Sequence, residues 1–371
     1  MKIAVDQNIK GAESTFGHHG ELSFLEGRAI RNEHLRDTDV LIVRTATAVN
    51  ETLLRGTPVR FVGSTSIGID HIDTDWLEHQ GVAWANAPGC NADGTAQYTL
   101  AIAWLACERL GRPLSDLTAG VIGRGNVGSR VQALFRALGM RVVANDPPLA
   151  DAGEPDLVSL DDALAQDVVC LHVPLTREGR YPTFRFIGRR ELARMGPNSL
   201  LINASRGDVV DGDALLGEVR AGRLHAALDV WPGEPRIDPD LLRATTVATP
   251  HVAGYSDDGK YKGTRMVYRA FCAAAGLKPQ PMAMPTQSPE LQIHPGQDPI
   301  ACALEASCFV QRHDEAMRAL APLDAAERAA GFDRLRRDYP SRRDFAAWQV
   351  HCSDSGPART LARMGFRVLA S

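Results

Sequence analysis

The chain has 371 residues, 44% of them hydrophobic and 23% charged, with a formal net charge of −4. That length suffices for two or three cores, and the mild acidity excludes the basic footprint of a nucleic-acid or anionic-membrane binder. Seven scattered cysteines, an odd number without a Cys-x-x-Cys pair, argue against a disulfide framework or a zinc site, so no metal is expected.

The opening "MKIAVDQNIKG" runs straight into a strand-like segment with no signal-peptide core. No apolar run nears the roughly 18 residues of a membrane span, and the cytoplasm is the expected setting. Strands are expected at "KIAVD", "DVLIVR", "VRFVGS" and "VAWANAP", which together make a small α/β unit. "GTAQYTLAIAWLACERL" then reads as a helix with a long apolar face, closed by Gly111 and Pro113. A second series follows in "LTAGVIG", "RVVAND", "DVVCLHVP", "SLLINAS", "AALDVW" and "TVATPH". Continuously apolar strands that alternate with helices predict parallel, doubly wound sheets.

Near residue 279 the composition turns to proline and polar residues, as a domain boundary would. Beyond it, helices are expected over Ile300–Leu320 and Ala325–Arg337, a strand at "AAWQVHC", and a helix then a strand in "PARTLARMGFRVLAS". The charge run "RLRRDYPSRRD" reads as a solvated face. Ala303, Ala306, Phe309 and Val310 would form an apolar stripe, fit for packing within the tail or against a second copy.

"VIGRGNVGSRV" sets Gly123, Gly125 and Gly128 between a strand and a helix. The first glycine permits a tight turn, the second lets backbone approach a pyrophosphate, and the third brings helix and strand close. The next strand ends at Asp146, 18 residues on, where a carboxylate binds ribose hydroxyls and repels a 2′-phosphate. NAD is therefore expected over NADP. Three later strand ends carry ionisable groups: Arg206 in "INASRGD", Glu234 in "LDVWPGEP" and His251 in "ATPHVAGY". Each alone reads as structural. In an open parallel sheet, however, all three would face one crevice beyond the carboxyl ends of the strands.

With these residues the sequence resembles the D-2-hydroxyacid dehydrogenases over about residues 1 to 275. The resemblance rests on the glycine turn, "INASRG", "LDVW-GEP" and "PH-AG". It implies two Rossmann-like or flavodoxin-like α/β domains with parallel sheets plus a small C-terminal α+β dimerisation domain. The substrate-binding domain would span 1–93, completed by about 258–280, with the NAD-binding domain at 94–257 and the dimerisation domain at 281–371. A finer match in "APGCNA", "NDPP", "AGYSDDGKYKGT" and "RRDYPSRRDF" points to the branch that oxidises 4-phospho-D-erythronate in pyridoxal 5′-phosphate biosynthesis. Arg124 and Gln97 are local departures from that pattern.

By this resemblance His251 is the general acid/base, Glu234 fixes its ring, and Arg206 binds the substrate carboxylate. The cofactor contacts it implies are Gly123, Gly125, Asn126, Val127, Gly128, Asp146, Val173, Ala204, Ser205, Arg206, Asp229 and Gly254. Thr45, Ser66 and Tyr255 would touch substrate, while Arg44 reads equally as substrate contact or solvated arginine. The chain would work as a homodimer, with no nucleic-acid or membrane partner. Rival readings are a dehydrogenase for 3-phosphoglycerate or glycerate, and an NAD-sensing corepressor-like protein.

Overall fold

A computed structural model describes residues 1–285 and 287–369. Its contacts group into two units, one of Met1–Asn91 with Ser256–Thr286 and one of Ala92–Tyr255 with Gln287–Ser371.

In the first unit, strands β1 (Lys2–Asp6), β2 (Glu21–Leu25), β3 (Val40–Val43), β4 (Phe61–Ser64) and β5 (Ala83–Ala85) form one parallel sheet in the order β2-β1-β3-β4-β5. β2 was not legible as a strand, because it lies at the sheet edge and its residues are largely exposed. The helix Asp257–Ala275 covers one face, placing Val267, Tyr268 and Phe271 against Ile3, Val5, Ile42 and Phe61. Gly63 on β4 admits this helix, since a Cβ there would lie 2.3 Å from Val267 Cγ1.

The second unit holds β6 (Thr118–Ile122), β7 (Arg141–Asn145), β8 (Val168–Leu171), β9 (Leu200–Asn203), β10 (His225–Leu228) and β11 (Val247–Ala248). All are parallel, in the order β11-β10-β9-β8-β6-β7. The chain reverses direction across the sheet between β6 and β8, where open α/β sheets bind their ligands. The helix Ala92–Arg109 was expected to bury one face. It is instead buried on nearly every side, because residues from beyond 287 close over it.

That tail adds β12 (Glu290–Gln292), β13 (Gln349–His351) and β14 (Arg367–Leu369). The three strands are mutually parallel, with helices in the connections between them. Its Ile300, Ala303, Leu304, Val310, Phe345 and Leu361 share one core with Tyr98, Leu100 and Ile102. The expected single helix over Ile300–Leu320 is corrected to two, Pro299–Cys308 and Val310–Arg318. Phe309 separates them in the left-handed region at φ 56°, and the bend lets both helices pack on Ala92–Arg109. Ala303 and Val310 of the supposed stripe are thereby buried within the chain. The solvated reading of "RLRRDYPSRRD" is also corrected, because Arg342 and Asp344 are buried. The space beside Gly94 and Ala253 takes a guanidinium rather than an apolar side chain, since carbonyls face it.

Candidate functional site

The glycine turn leaves β6 at the reversal point. Gly123 has φ +89°, and a Cβ on it would lie 2.7 Å from the His172 carbonyl oxygen and 2.9 Å from Val173 Cγ1. Val173 thus stands beside the turn, just past the end of β8. At Gly128 a Cβ would fall 1.8 Å from the Gly123 oxygen, so only glycine lets the helix start this close to the strand. Around the Gly125 Cβ position there is open space. Gly125 is also the N-cap of the helix Asn126–Ala137 and brings no capping side chain. Asn126 is exposed and Val127 half-buried in its first turn. An open glycine backbone at a helix start fits a dinucleotide pyrophosphate, through free N–H groups and the positive helix end.

Asp146 accepts the Arg124 N–H at 2.7 Å and the Leu149 N–H at 3.1 Å. It therefore ties the glycine turn to the end of β7 while placing a negative charge beside it. The Arg124 guanidinium turns to Glu154 at 3.1 Å.

Arg206, Glu234 and His251 all follow the carboxyl ends of the adjacent strands β9, β10 and β11. The loops that carry them are fastened to one another. After β9, Asn203 Oδ1 accepts both the N–H (3.0 Å) and the hydroxyl (2.8 Å) of buried Ser205. Asn203 Nδ2 donates to the Arg206 carbonyl at 2.9 Å. Ala204 is half-buried at the start of this turn, and the Arg206 guanidinium donates to the Ser205 carbonyl at 2.9 Å. Gly207 lets this loop press on the next, since a Cβ there would lie 2.0 Å from the Trp231 oxygen. Trp231 Nε1 in turn donates to the Thr249 carbonyl at 2.9 Å, joining the loop after β10 to the one after β11.

His251 Nδ1 is hydrogen-bonded to Glu234 Oε1, and each side chain is about a quarter exposed (26% and 24%). Burial alone would push the Glu234 carboxyl up. The hydrogen bond and charge of His251, the charge of Arg336 and the N–H of Trp231 outweigh burial and hold it below its ordinary value. His251 itself sits in the left-handed region at φ 56°. That conformation costs on the order of 1–3 kcal/mol in a non-glycine residue, so the surroundings must enforce it.

Asp229, 1% exposed, does much of that enforcing. Its carboxylate accepts the Thr249 hydroxyl (2.7 Å), the Val252 N–H (3.0 Å) and the Ala253 N–H (3.0 Å). Its carbonyl accepts the His251 N–H at 2.7 Å. Gly254 and Tyr255 follow, both half-buried, with Tyr255 edge-on to Tyr339 at 5.4 Å.

In the first unit, Thr45 is exposed in the turn after β3 and Ser66 is half-buried just past β4. Arg44 is paired with buried Asp6 through two bonds of 3.0 and 3.2 Å, which decides against a purely solvated arginine. Two residues of the second unit escaped the reading of the sequence. Gln97, a departure from the pattern, accepts the Phe345 N–H of the tail at 3.1 Å. Arg342 was hidden in a charge run. Among the described residues no group of three or more His, Cys, Asp or Glu could hold a metal ion, and no helix is long and apolar enough to cross a membrane.

Residues 92–253 match the family described as D-isomer specific 2-hydroxyacid dehydrogenase, NAD binding domain. Residues 286–365 match a family described only as a domain of unknown function. The chain is 41% identical to the erythronate-4-phosphate dehydrogenase of Hahella chejuensis, with 99% of each chain covered. It is 45% identical to the one from Azotobacter vinelandii, with 96% of each covered. Among solved structures, D-lactate dehydrogenase from Aquifex aeolicus, complexed with NAD and lactic acid, is similar with a TM-score of 0.62 at 25% identity. That likeness covers 74% of this chain and 96% of the other.

Proposed function

Because the chain belongs to the erythronate-4-phosphate dehydrogenases, within the D-isomer specific 2-hydroxyacid dehydrogenases, we propose that it oxidises 4-phospho-D-erythronate at C2. The product is (R)-3-hydroxy-2-oxo-4-phosphobutanoate, and the reaction is a step toward pyridoxal 5′-phosphate. NAD, when bound, supplies the acceptor for the two electrons that leave C2. Gly123, Gly125, Asn126, Val127 and Gly128 hold its pyrophosphate, and Asp146 its ribose. Val173, Ala204, Ser205 and Gly254 line its remaining length.

The observation that carries this reading is the Glu234–His251 pair, set among three loops fastened together at the ends of β9, β10 and β11. With Nδ1–H donated to the Glu234 carboxylate, the lone pair of His251 lies on Nε2. Nε2 takes the proton of the C2 hydroxyl, and Glu234 stabilises the imidazolium that forms. Arg206 pairs with the substrate carboxylate and with the carbonyl oxygen as it develops, for which a planar guanidinium is suited. Asp229 serves this site through the loop it holds. Thr45, Ser66 and Tyr255 touch the substrate. The first two stand beyond the ends of adjacent parallel strands, the usual place for ligand contacts in such sheets.

We further propose a cytoplasmic homodimer. All seven cysteines are free thiols, most of them buried, as a reducing compartment allows. Two-fold pairing is the commonest closed assembly.

The test is NAD reduction with 4-phosphoerythronate, 3-phosphoglycerate and glycerate, run with and without an added 2-oxo acid as electron acceptor. A kcat/KM for 4-phosphoerythronate at least ~10-fold above the others is expected, the effect of about 1.4 kcal/mol of differential binding, roughly one net hydrogen bond. Equal or better use of 3-phosphoglycerate would move the chain to another substrate. No turnover of any of the three would remove the reading.

A further inference from the structure

We infer that the C-terminal tail is part of the catalytic apparatus, with Arg342 a positioning residue that fixes the loop 251–255 by its carbonyls. This rests on the roles of His251 and Tyr255 given above. Arg342 is 2% exposed. Its Nε donates to the Tyr255 carbonyl at 2.9 Å and its Nη2 to the Ala253 carbonyl at 2.7 Å. Both Nη atoms also reach the Gly94 carbonyl at 3.2 Å. One planar fork therefore grips the two carbonyls that flank Gly254 and anchors them to the start of the helix Ala92–Arg109.

The opposite polarity of the same loop is held by Asp229, which takes the N–H groups of Val252 and Ala253. An anion on the N–H groups and a cation on the carbonyls leave the loop little freedom. This matters because the loop lies beyond the end of β11, while His251 at its head is in a strained conformation. Lysine could not do the same, since a single ammonium cannot span carbonyls two residues apart in the guanidinium's fixed geometry.

A second line of contacts runs from the tail to the Tyr255 side chain. The Arg342 guanidinium lies 5.2 Å from the centre of the Tyr98 ring. The Tyr98 hydroxyl is 2.8 Å from His313 Nδ1, and His313 stacks on Tyr339 at 5.0 Å. Burial, with the charges of Arg342 and Arg312, pushes His313 down to about 4, so at neutral pH it adds no second charge beside the guanidinium. Tyr339 then meets Tyr255 edge-on. The tail thus sets both the backbone of the loop and the ring proposed to face the substrate.

The test uses the full chain with Arg342→Met, Arg342→Lys and Tyr339→Leu. It measures NAD stoichiometry, kcat and KM per NAD-binding site, and amide exchange of the peptide spanning 249–256. For Arg342→Met, kcat per site should fall roughly 10- to 100-fold, the cost of a small misplacement of reacting groups. Exchange should accelerate in that peptide alone. Arg342→Lys should recover part of both, and Tyr339→Leu should raise KM several-fold with kcat nearly kept. Unchanged kcat per site and unchanged loop exchange would overturn the inference, as would acceleration spread evenly over the chain. Should Arg342→Met fail to fold, Arg342→Lys and Tyr339→Leu decide the question by the same two readouts. If the unaltered protein oxidises no hydroxy acid, the functional reading fails, while exchange still decides whether Arg342 fixes the loop.

Discussion

Glu234→Gln is the sharpest perturbation of the site, because it keeps shape and removes only charge. The geometry also says which way the amide turns. The Trp231 N–H donates to Glu234 Oε2 at 3.2 Å, so a glutamine would keep its oxygen there and present its NH₂ to His251 Nδ1. That ring nitrogen must then accept, which moves the proton to Nε2 and removes the lone pair that takes the substrate proton. The variant also loses the charge that stabilises the imidazolium. Two unit charges about 4 Å apart interact by ~4 kcal/mol at an effective dielectric constant of 20, equivalent to about 10³ in rate. A quarter exposure of each group discounts this toward ~10². Steady-state assays should show kcat down about 10²–10³-fold, with NAD affinity nearly unchanged. A kcat within threefold of the unaltered enzyme would refute the assignment. The same variant tests linkage: a carboxyl held below its ordinary 4.5 stabilises the fold fully above the unfolded value, and that stability is lost as pH falls through the folded one. The stability gap in urea between the unaltered protein and the Glu234→Gln variant should therefore be present at pH 7 and shrink below about pH 4.5. A gap that widened on acidification would contradict the sign.

His251→Gln should lower turnover by roughly 10²–10⁴-fold while NAD binding is nearly kept, and near-normal turnover would remove His251 from the mechanism. Asp146→Asn keeps an oxygen for the Leu149 N–H and removes the charge, so the NADP-to-NAD ratio of kcat/KM should rise about tenfold or more. An unaltered protein that already used both cofactors equally would refute that role. Light scattering should find a dimer, and a monomer at micromolar concentration would sink the assembly proposal. Truncation after Pro285 should give an aggregating chain without NAD binding, since it opens the core around Tyr98. A soluble truncated form that binds NAD would refute this.

Arg206, Glu234, His251 and the glycine turn could be picked out as candidates because their signals are local. A strand, a turn and a helix start are written in one short window, and each ionisable group stands a few residues past an apolar run. The edge strand β2 was not, since one-sided pairing leaves its residues exposed and erases the apolar pattern. Nor was the break at Phe309, where nothing local demands a left-handed residue and packing on the helix Ala92–Arg109 selects it. Arg342 illustrates the deeper limit. Its sequence neighbours Arg343, Arg337 and Arg336 share its chemistry, and only the carbonyls of Gly94, Ala253 and Tyr255, distant in sequence, single it out. Asp229 was expected beside the cofactor, whereas its three bonds to the histidine loop left no local trace in the sequence.

The strand that leads into His251 explains why the tail cannot be a passive appendage. β11 has two residues and pairs on one side only, with β10. Its outer edge would expose unpaired backbone groups, which destabilises an edge and invites wrong pairing. Among the described residues no further strand covers it. Asp314 of the helix Val310–Arg318 instead takes the Ala248 N–H at 2.7 Å. Its other oxygen accepts from Arg109 at 2.7 Å and Arg318 at 2.9 Å. Those two arginines in turn donate to the carbonyls of Thr245 and Thr246. Side chains thus complete the ladder that a seventh strand would otherwise supply, and one carboxylate, 1% exposed, is satisfied on both oxygens. The histidine is then fixed from two sides: by the loop after β10 through Asp229 and Glu234, and by the tail through Asp314 and Arg342. A loop strained at His251 requires that over-determination, and two of the four side chains that provide it lie beyond residue 300.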